Sequence, residues 1–104
     1  MIRKRIRAAL GEIALYHSAN GNPEKALRYV QKMEIIGEVR PFQRAYKSTL
    51  LLILHRFSEA EDIFCEVSIS TEHSVDLDDV YTYLYCQSMI NNIRGNLLEM
   101  NKYI

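Results

Sequence analysis

Gly21-Asn22-Pro23-Glu24-Lys25-Ala26 reads as the end of one helix and the start of the next. Glycine takes the left-handed conformation that closes a helix C-terminus without steric cost. Asn22 offers a side-chain oxygen to the free amides of a new first turn, and Pro23 suits that turn because its missing N–H has no partner to lose. The pattern returns as His55-Arg56-Phe57-Ser58-Glu59-Ala60, and more faintly as Gly95-Asn96-Leu97-Leu98-Glu99-Met100. One and the same interval separates Ala26 from Ala60, Val30 from Phe64, and Met33 from Val67. A period of 34 with a turn inside each unit is the mark of stacked helical hairpins. The expectation is an all-α chain forming one domain over residues 1–104, with three antiparallel hairpins at about residues 2–37, 41–70 and 77–104 and so about six helices.

The residues before the turn predict a first helix over about 2–19. Ile2, Ile6, Ala9, Leu10, Ile13, Ala14 and His17 recur at spacings of three and four and are expected on its inward face. Arg3, Lys4, Arg5 and Arg7 crowd its first turns, where positive charge opposes the helix dipole, so they mark a solvated or partner-facing basic patch. After the turn, Ala26, Leu27, Val30 and Met33 point inward until Gly37 ends the second helix. Ala26 is small where two helices joined by a tight turn approach most closely.

Pro41 opens a third helix that reaches about His55. Its second half, Leu50-Leu51-Leu52-Ile53-Leu54, is apolar on all sides, the pattern of a helix with neighbours on both faces. Ser58-Glu59-Ala60-Glu61 has the capping-box spacing for a fourth helix. Residues 68–75 are polar and Ser-rich and read as a loop that delays the third hairpin, since Phe57 and Leu97 stand further apart than one period. Asp76-Leu77-Asp78-Asp79 then caps a fifth helix over about 77–93, with Val80, Tyr81, Leu84, Tyr85, Met89 and Ile93 available for packing, and Gly95 precedes a sixth.

At 104 residues and 48% hydrophobic, the chain can build one modest core. Four glycines and two prolines are too few for a turn-rich β-sandwich or a disordered chain. No apolar run approaches the roughly 18 residues needed to cross a bilayer. The basic start Met1-Ile2-Arg3-Lys4-Arg5 is not followed by an apolar block of leader length, so a cytoplasmic location is expected. The net charge is zero, but residues 1–56 hold 11 Lys and Arg against 4 Asp and Glu, and residues 57–104 hold 2 against 9. That split gives the molecule an electrostatic direction and is unlike a uniformly basic nucleic-acid binder. Cys65 and Cys86 lack any CxxC or CxxH spacing and read as small buried residues, the alternative being a disulfide or metal pair.

Taken together, these residues resemble tetratricopeptide repeats. Leu10, Ile13, Ala14 and His17 occupy the family's first-helix positions in the first unit, and Ala26 and Val30 those of its second helix. Both central turns resemble the family's turn, and Ala60 and Phe64 are in place in the second unit. Three departures stand out. Arg44, Lys47, Ser48 and Leu51 fit the second unit's first helix poorly, so its register shifts or its start leans into solvent; Glu38 stands where the family places a junction proline; and the third unit rests mainly on Gly95.

The resemblance implies a right-handed α-solenoid whose first helices line a concave groove for a peptide or an amphipathic helix. It would aim Leu15, Phe42, Tyr46, Thr49, Tyr85 and Met89 into that groove, with Ser18, Ala45, Thr82 and Ile93 beside them. Tyr46, Tyr85 and Met89 fit core packing equally well. This lining is aromatic, aliphatic and hydroxylated, which suits an apolar peptide better than a carboxylate clamp. Leu97, Leu98, Met100, Tyr103 and Ile104 leave apolar surface at the chain's end, which a second subunit or further repeats would cover.

A non-catalytic protein-interaction adaptor, also self-associating, is therefore the expected function. No enzyme activity, cofactor or metal is expected, because His17, His55 and His73 lie far apart in sequence and no nucleophile or phosphate-binding motif occurs. The alternatives are the peptide-sensing domain of a bacterial regulator, or a nucleic-acid or membrane contact through Arg3, Lys4, Arg5 and Arg7, with nucleic acid the poorer fit.

Overall fold

The computed structural model describes residues 2–37 and 39–102, and side chains as far as residue 95. It is all-helical, with five helices and no strand among the described residues: α1 (Ile2–Ala19), α2 (Pro23–Ile36), α3 (Pro41–Ile53), α4 (Phe57–Thr71) and α5 (Leu77–Lys102). Short connections make the helices alternate in direction, so α1, α3 and α5 run the same way. α1 packs on α2, α2 on α3, α3 on α4 and α4 on α5, and α3 also touches α5. The result is a slab of 52 × 34 × 20 Å. Among the described residues, no helix is long and apolar enough to cross a membrane.

The two central turns repeat each other in their backbone hydrogen bonds. Gly21 N donates to Ser18 O and Asn22 N to His17 O; one period further on, His55 N donates to Leu52 O and Arg56 N to Leu51 O. Both helix ends are Schellman motifs with the residue after the helix in the left-handed region, Gly21 at φ 76° and His55 at φ 62°. The next helix then starts alike, with Ala26 N on Asn22 O and Ala60 N on Arg56 O. Asn22 Oδ1 accepts from Lys25 N, as a capping asparagine should. In α4 the helix begins at Phe57, so Ser58 lies inside the first turn and is not the cap. Arg56 instead grips Glu59 through two hydrogen bonds of 3.1 and 2.8 Å.

Ala14 and Ser48, again one period apart, are both fully buried. Ser48 Oγ donates to Ala60 O, which is how a polar residue tolerates the tight crossing of α3 and α4. Arg44 and Lys47 are placed by charge, on Glu66 and Glu34 of the flanking helices at 2.6 and 2.8 Å. Ion pairs thus stand at Arg44 and Lys47 where apolar contacts were expected. Phe64, Leu50, Leu51 and Val30 form the centre of the core.

Five expectations are corrected. The sixth helix is absent from the described residues, because α5 runs unbroken through Gly95 to Lys102. Gly95 does not take the positive φ found at Gly21 and His55, and no proline follows it to open a new helix. Residues 68–71 belong to α4 and not to a loop: Ser70 and Thr71 hydroxyls donate back to Val67 O, and Ser68 and Thr71 are buried. On α1 only Ala14 is buried, while Ile2, Ile6, Ala9 and Ile13 are exposed. In α3, Leu50 and Leu51 are buried but Ile53 is exposed, and in α5 the packing face is Thr82, Cys86, Ile90 and Ile93, leaving Val80, Tyr81 and Leu84 in solvent.

Candidate functional site

Two cavities lie in line across the parallel helices α1, α3 and α5. The first, about 350 Å³, is bounded by Ala8, Gly11, Glu12 and Leu15 of α1, Val30 and Met33 of α2, and Phe42, Gln43 and Tyr46 of α3. The second, about 210 Å³, is bounded by Phe42, Ala45, Tyr46 and Thr49 of α3 and Tyr81, Thr82 and Tyr85 of α5. Phe42 and Tyr46 are the wall between them. The α3 residues bordering the second cavity each stand one period after the α1 residues bordering the first. The opposite wall repeats too, Phe42, Gln43 and Tyr46 being answered in order by Tyr81, Thr82 and Tyr85, at a somewhat wider interval. Most of the extra spacing lies in α5 itself, where Tyr81 stands almost a turn further into its helix than Phe42 does in α3, with α4 and the link after it each slightly longer than their counterparts.

The hydroxyls of this lining hold its shape. Tyr46 Oη donates to Ala14 O at 3.3 Å, tying α3 to α1. Thr49 Oγ1 and Tyr85 Oη share a hydrogen bond of 2.6 Å between α3 and α5, and Thr49 Oγ1 also lies 3.0 Å from Ala45 O. Tyr85 meets the buried Phe64 ring edge-on, with centroids 6.1 Å apart. Each of Tyr46 and Tyr85 therefore has its hydroxyl engaged and offers its ring to the groove. Phe42 has no such tether and is 48% exposed. Glu12 is the one charged side chain among the lining residues.

Of the expected groove residues, Leu15, Phe42, Tyr46, Thr49 and Tyr85 are brought together here, with Ala45 and Thr82. Met89 is instead half-buried against the core, Ile93 is buried in it, and Ser18 borders neither cavity. Arg3, Lys4 and Arg5 are exposed and Arg7 is half-buried. Leu97, Leu98, Met100, Tyr103 and Ile104, expected to self-associate, lie outside the residues whose side chains are described.

The remaining chemistry-bearing groups are dispersed. His17 stacks on Tyr29 at 5.3 Å, His55 sits in the turn beside Phe57, and His73 is exposed. Among the described residues, no group of three His, Cys, Asp or Glu is placed to hold a metal ion. Cys65 and Cys86 are free thiols, and burial, with the neighbouring Cys65 contributing less, pushes the Cys86 thiol up to about 11.

Ala8, Glu12 and Gln43 also line the cavities and were not singled out by the sequence, whereas Val30, Met33 and Tyr81, expected to pack, border them as well. A shift by one period would have found Glu12, as the position matching Tyr46. Tyr81, one turn before Tyr85, was assigned to packing because helical periodicity alone does not say which side of α5 is covered. Comparisons with protein-family models, with curated proteins and with solved structures found no match.

Proposed function

We propose that this chain is a peptide-binding repeat module, a right-handed solenoid of the tetratricopeptide type in which α1–α2 and α3–α4 form two hairpins and α5 packs on the second. Its ligand is an apolar segment of another protein that seats one side chain in each cavity and lies across the Phe42–Tyr46 wall. The observation that carries the reading is the repetition of the α1 wall of the first cavity in the α3 wall of the second, at the same interval as the two turns. A groove made by repetition presents equivalent pockets at regular spacing, which is what an elongated ligand uses and a compact one does not. The lining is aromatic and aliphatic with pre-tethered hydroxyls, so little side-chain ordering is left to oppose binding. The module contributes recognition and no chemistry of its own.

Selection from a displayed library of short peptides tests this. The expected result is enrichment of sequences with two spaced large apolar residues. Phe42→Asp should weaken a selected peptide by roughly tenfold or more while leaving the helical circular dichroism and melting temperature intact, since Phe42 is half in solvent. Ile35→Asp, on an exposed residue of α2 away from both cavities, should leave binding unchanged. Absence of enrichment, or full binding by folded Phe42→Asp protein, overturns the reading.

A further inference from the structure

We infer that the chain self-associates head to tail, with the outer stripe of α1 in one copy packed on the first turns of α5 in the next. The apolar arc of α1 is wider than its neighbours cover. Leu10, Ala14 and His17 face α2, whereas Ile2, Ile6, Ala9, Ile13 and Tyr16 form a second row at spacings of four, three, four and three, all exposed. With about 3.6 residues per turn, that row lies across the helix from the groove residues Ala8 and Leu15, on the side away from α3. At the other end of the slab, Leu77, Tyr81 and Leu84 are 83, 74 and 60% exposed, so α5 also presents an uncovered apolar face. Rows of this kind cost free energy in water, and their number on one small chain marks them as contact surfaces.

Charge says what covers them. The α1 row starts among Arg3, Lys4 and Arg5, which make no ion pair among the described residues, and the α5 row starts among the exposed Asp76 and Asp78. Since α1, α3 and α5 run in one direction, a second copy laid with its α1 beside α5, in the sense in which α5 lies beside α3, sets those bases against those acids. A two-fold contact of α1 with α1 would gain nothing from this complementarity and would leave the α5 face in water. The head-to-tail contact is heterologous, so it adds copy to copy, into a ring or an open array, and carries the groove along with it. It does not rest on the peptide-binding reading.

Sedimentation velocity over a protein dilution series, at low and at high salt, tests it. Wild-type protein should grow with concentration, and more weakly at high salt. Ile6→Glu/Ala9→Glu and Leu77→Glu/Leu84→Glu, the latter pair bordering neither cavity, should each be monomeric, yet an equimolar mixture of the two should form a one-to-one dimer and nothing larger, because each retains one working end. Arg3→Glu/Arg5→Glu and Asp78→Lys, on fully solvated positions, give a second mixing test should an apolar variant fold poorly: each is monomeric alone, and their equimolar mixture regains growth with concentration because both of its contacts are complementary. Wild-type protein monomeric at every concentration, a Leu77→Glu/Leu84→Glu variant that still self-associates, or mixtures that stay monomeric would overturn the inference. A monomer that still selects peptides overturns it alone and leaves the groove standing.

Discussion

Gly21 and His55 occupy equivalent backbone corners at φ 76° and 62°, yet only one of them is glycine. A left-handed conformation costs a residue with a Cβ about 1–2 kcal/mol, so the second turn holds strain that the first does not. His55→Gly should therefore raise stability by about 0.5–1 kcal/mol in urea denaturation, net of the lost edge contact with Phe57, whereas Gly21→Ala should lower it by about 1 kcal/mol. Equal effects at both sites would contradict the shared geometry. The sequence disclosed the repeated turn but not this asymmetry, because His55 mimics a capping glycine only once folded. Cys86 is a second residue whose chemistry is set by its surroundings. Its thiol titrates at about 11 where an unburied thiol titrates near 9.0, so the folded state holds the proton more tightly. Stability should be unaffected below pH 9, should fall as pH rises through that value, and should stop responding to this group above about 11. Alkylation of native protein at neutral pH should modify the half-buried Cys65 first, as peptide mass mapping would show, and Cys86 only after unfolding.

Among the elements, α5 departs furthest from the repeat pattern and gives the sharpest test. Gly95 sits inside a continuous helix, and a Cβ added there would meet nothing within 4 Å. Gly95→Ala should thus stabilise the protein by about 0.5–1 kcal/mol through helix propensity alone; a chain that turned at this position would be destabilised by the same change. The first two turns were legible because they carry residues with strong conformational preferences, Gly21, Asn22 and Pro23, or copy their spacing. The tail of α4 was not, since Ser68, Ser70 and Thr71 have the composition of a loop and become helical by returning their hydroxyls to Val67 O or packing under α5. Periodicity assigned the inner face of α1 wrongly for a related reason. That helix has two apolar rows, and the wider one is the row left uncovered. Most of the groove was legible because it follows the period set by the turns, while Met89 fell outside it where the interval widens between α3 and α5.

Across the whole molecule, each helix is held by its near neighbours, so stability should be distributed unevenly. The α3–α4–α5 half contains Phe64, Leu50, Leu51, Cys86 and Ile90, whereas α1 contributes only Ala14 to the core. The α1–α2 hairpin joins the rest through α2 against α3, the Lys47–Glu34 ion pair and the Tyr46 hydrogen bond to Ala14 O. These few contacts should open before the core does. Native-state hydrogen exchange should accordingly show α1 and α2 amides exchanging through a sub-global opening, roughly tenfold or more faster than the slowest amides of α3 and α4. The first cavity spans that same weak junction, so a ligand seated in it must close the opening by binding only the docked hairpin. Peptide at about 100 times its Kd should slow exchange in α1 and α2 by about 100-fold and leave the slowest α4 amides governed by global unfolding. Uniform exchange without peptide would mean that the hairpins are more tightly coupled than their contacts indicate. Protection confined to α5 on adding peptide would place the ligand outside the α1–α3 cavity altogether.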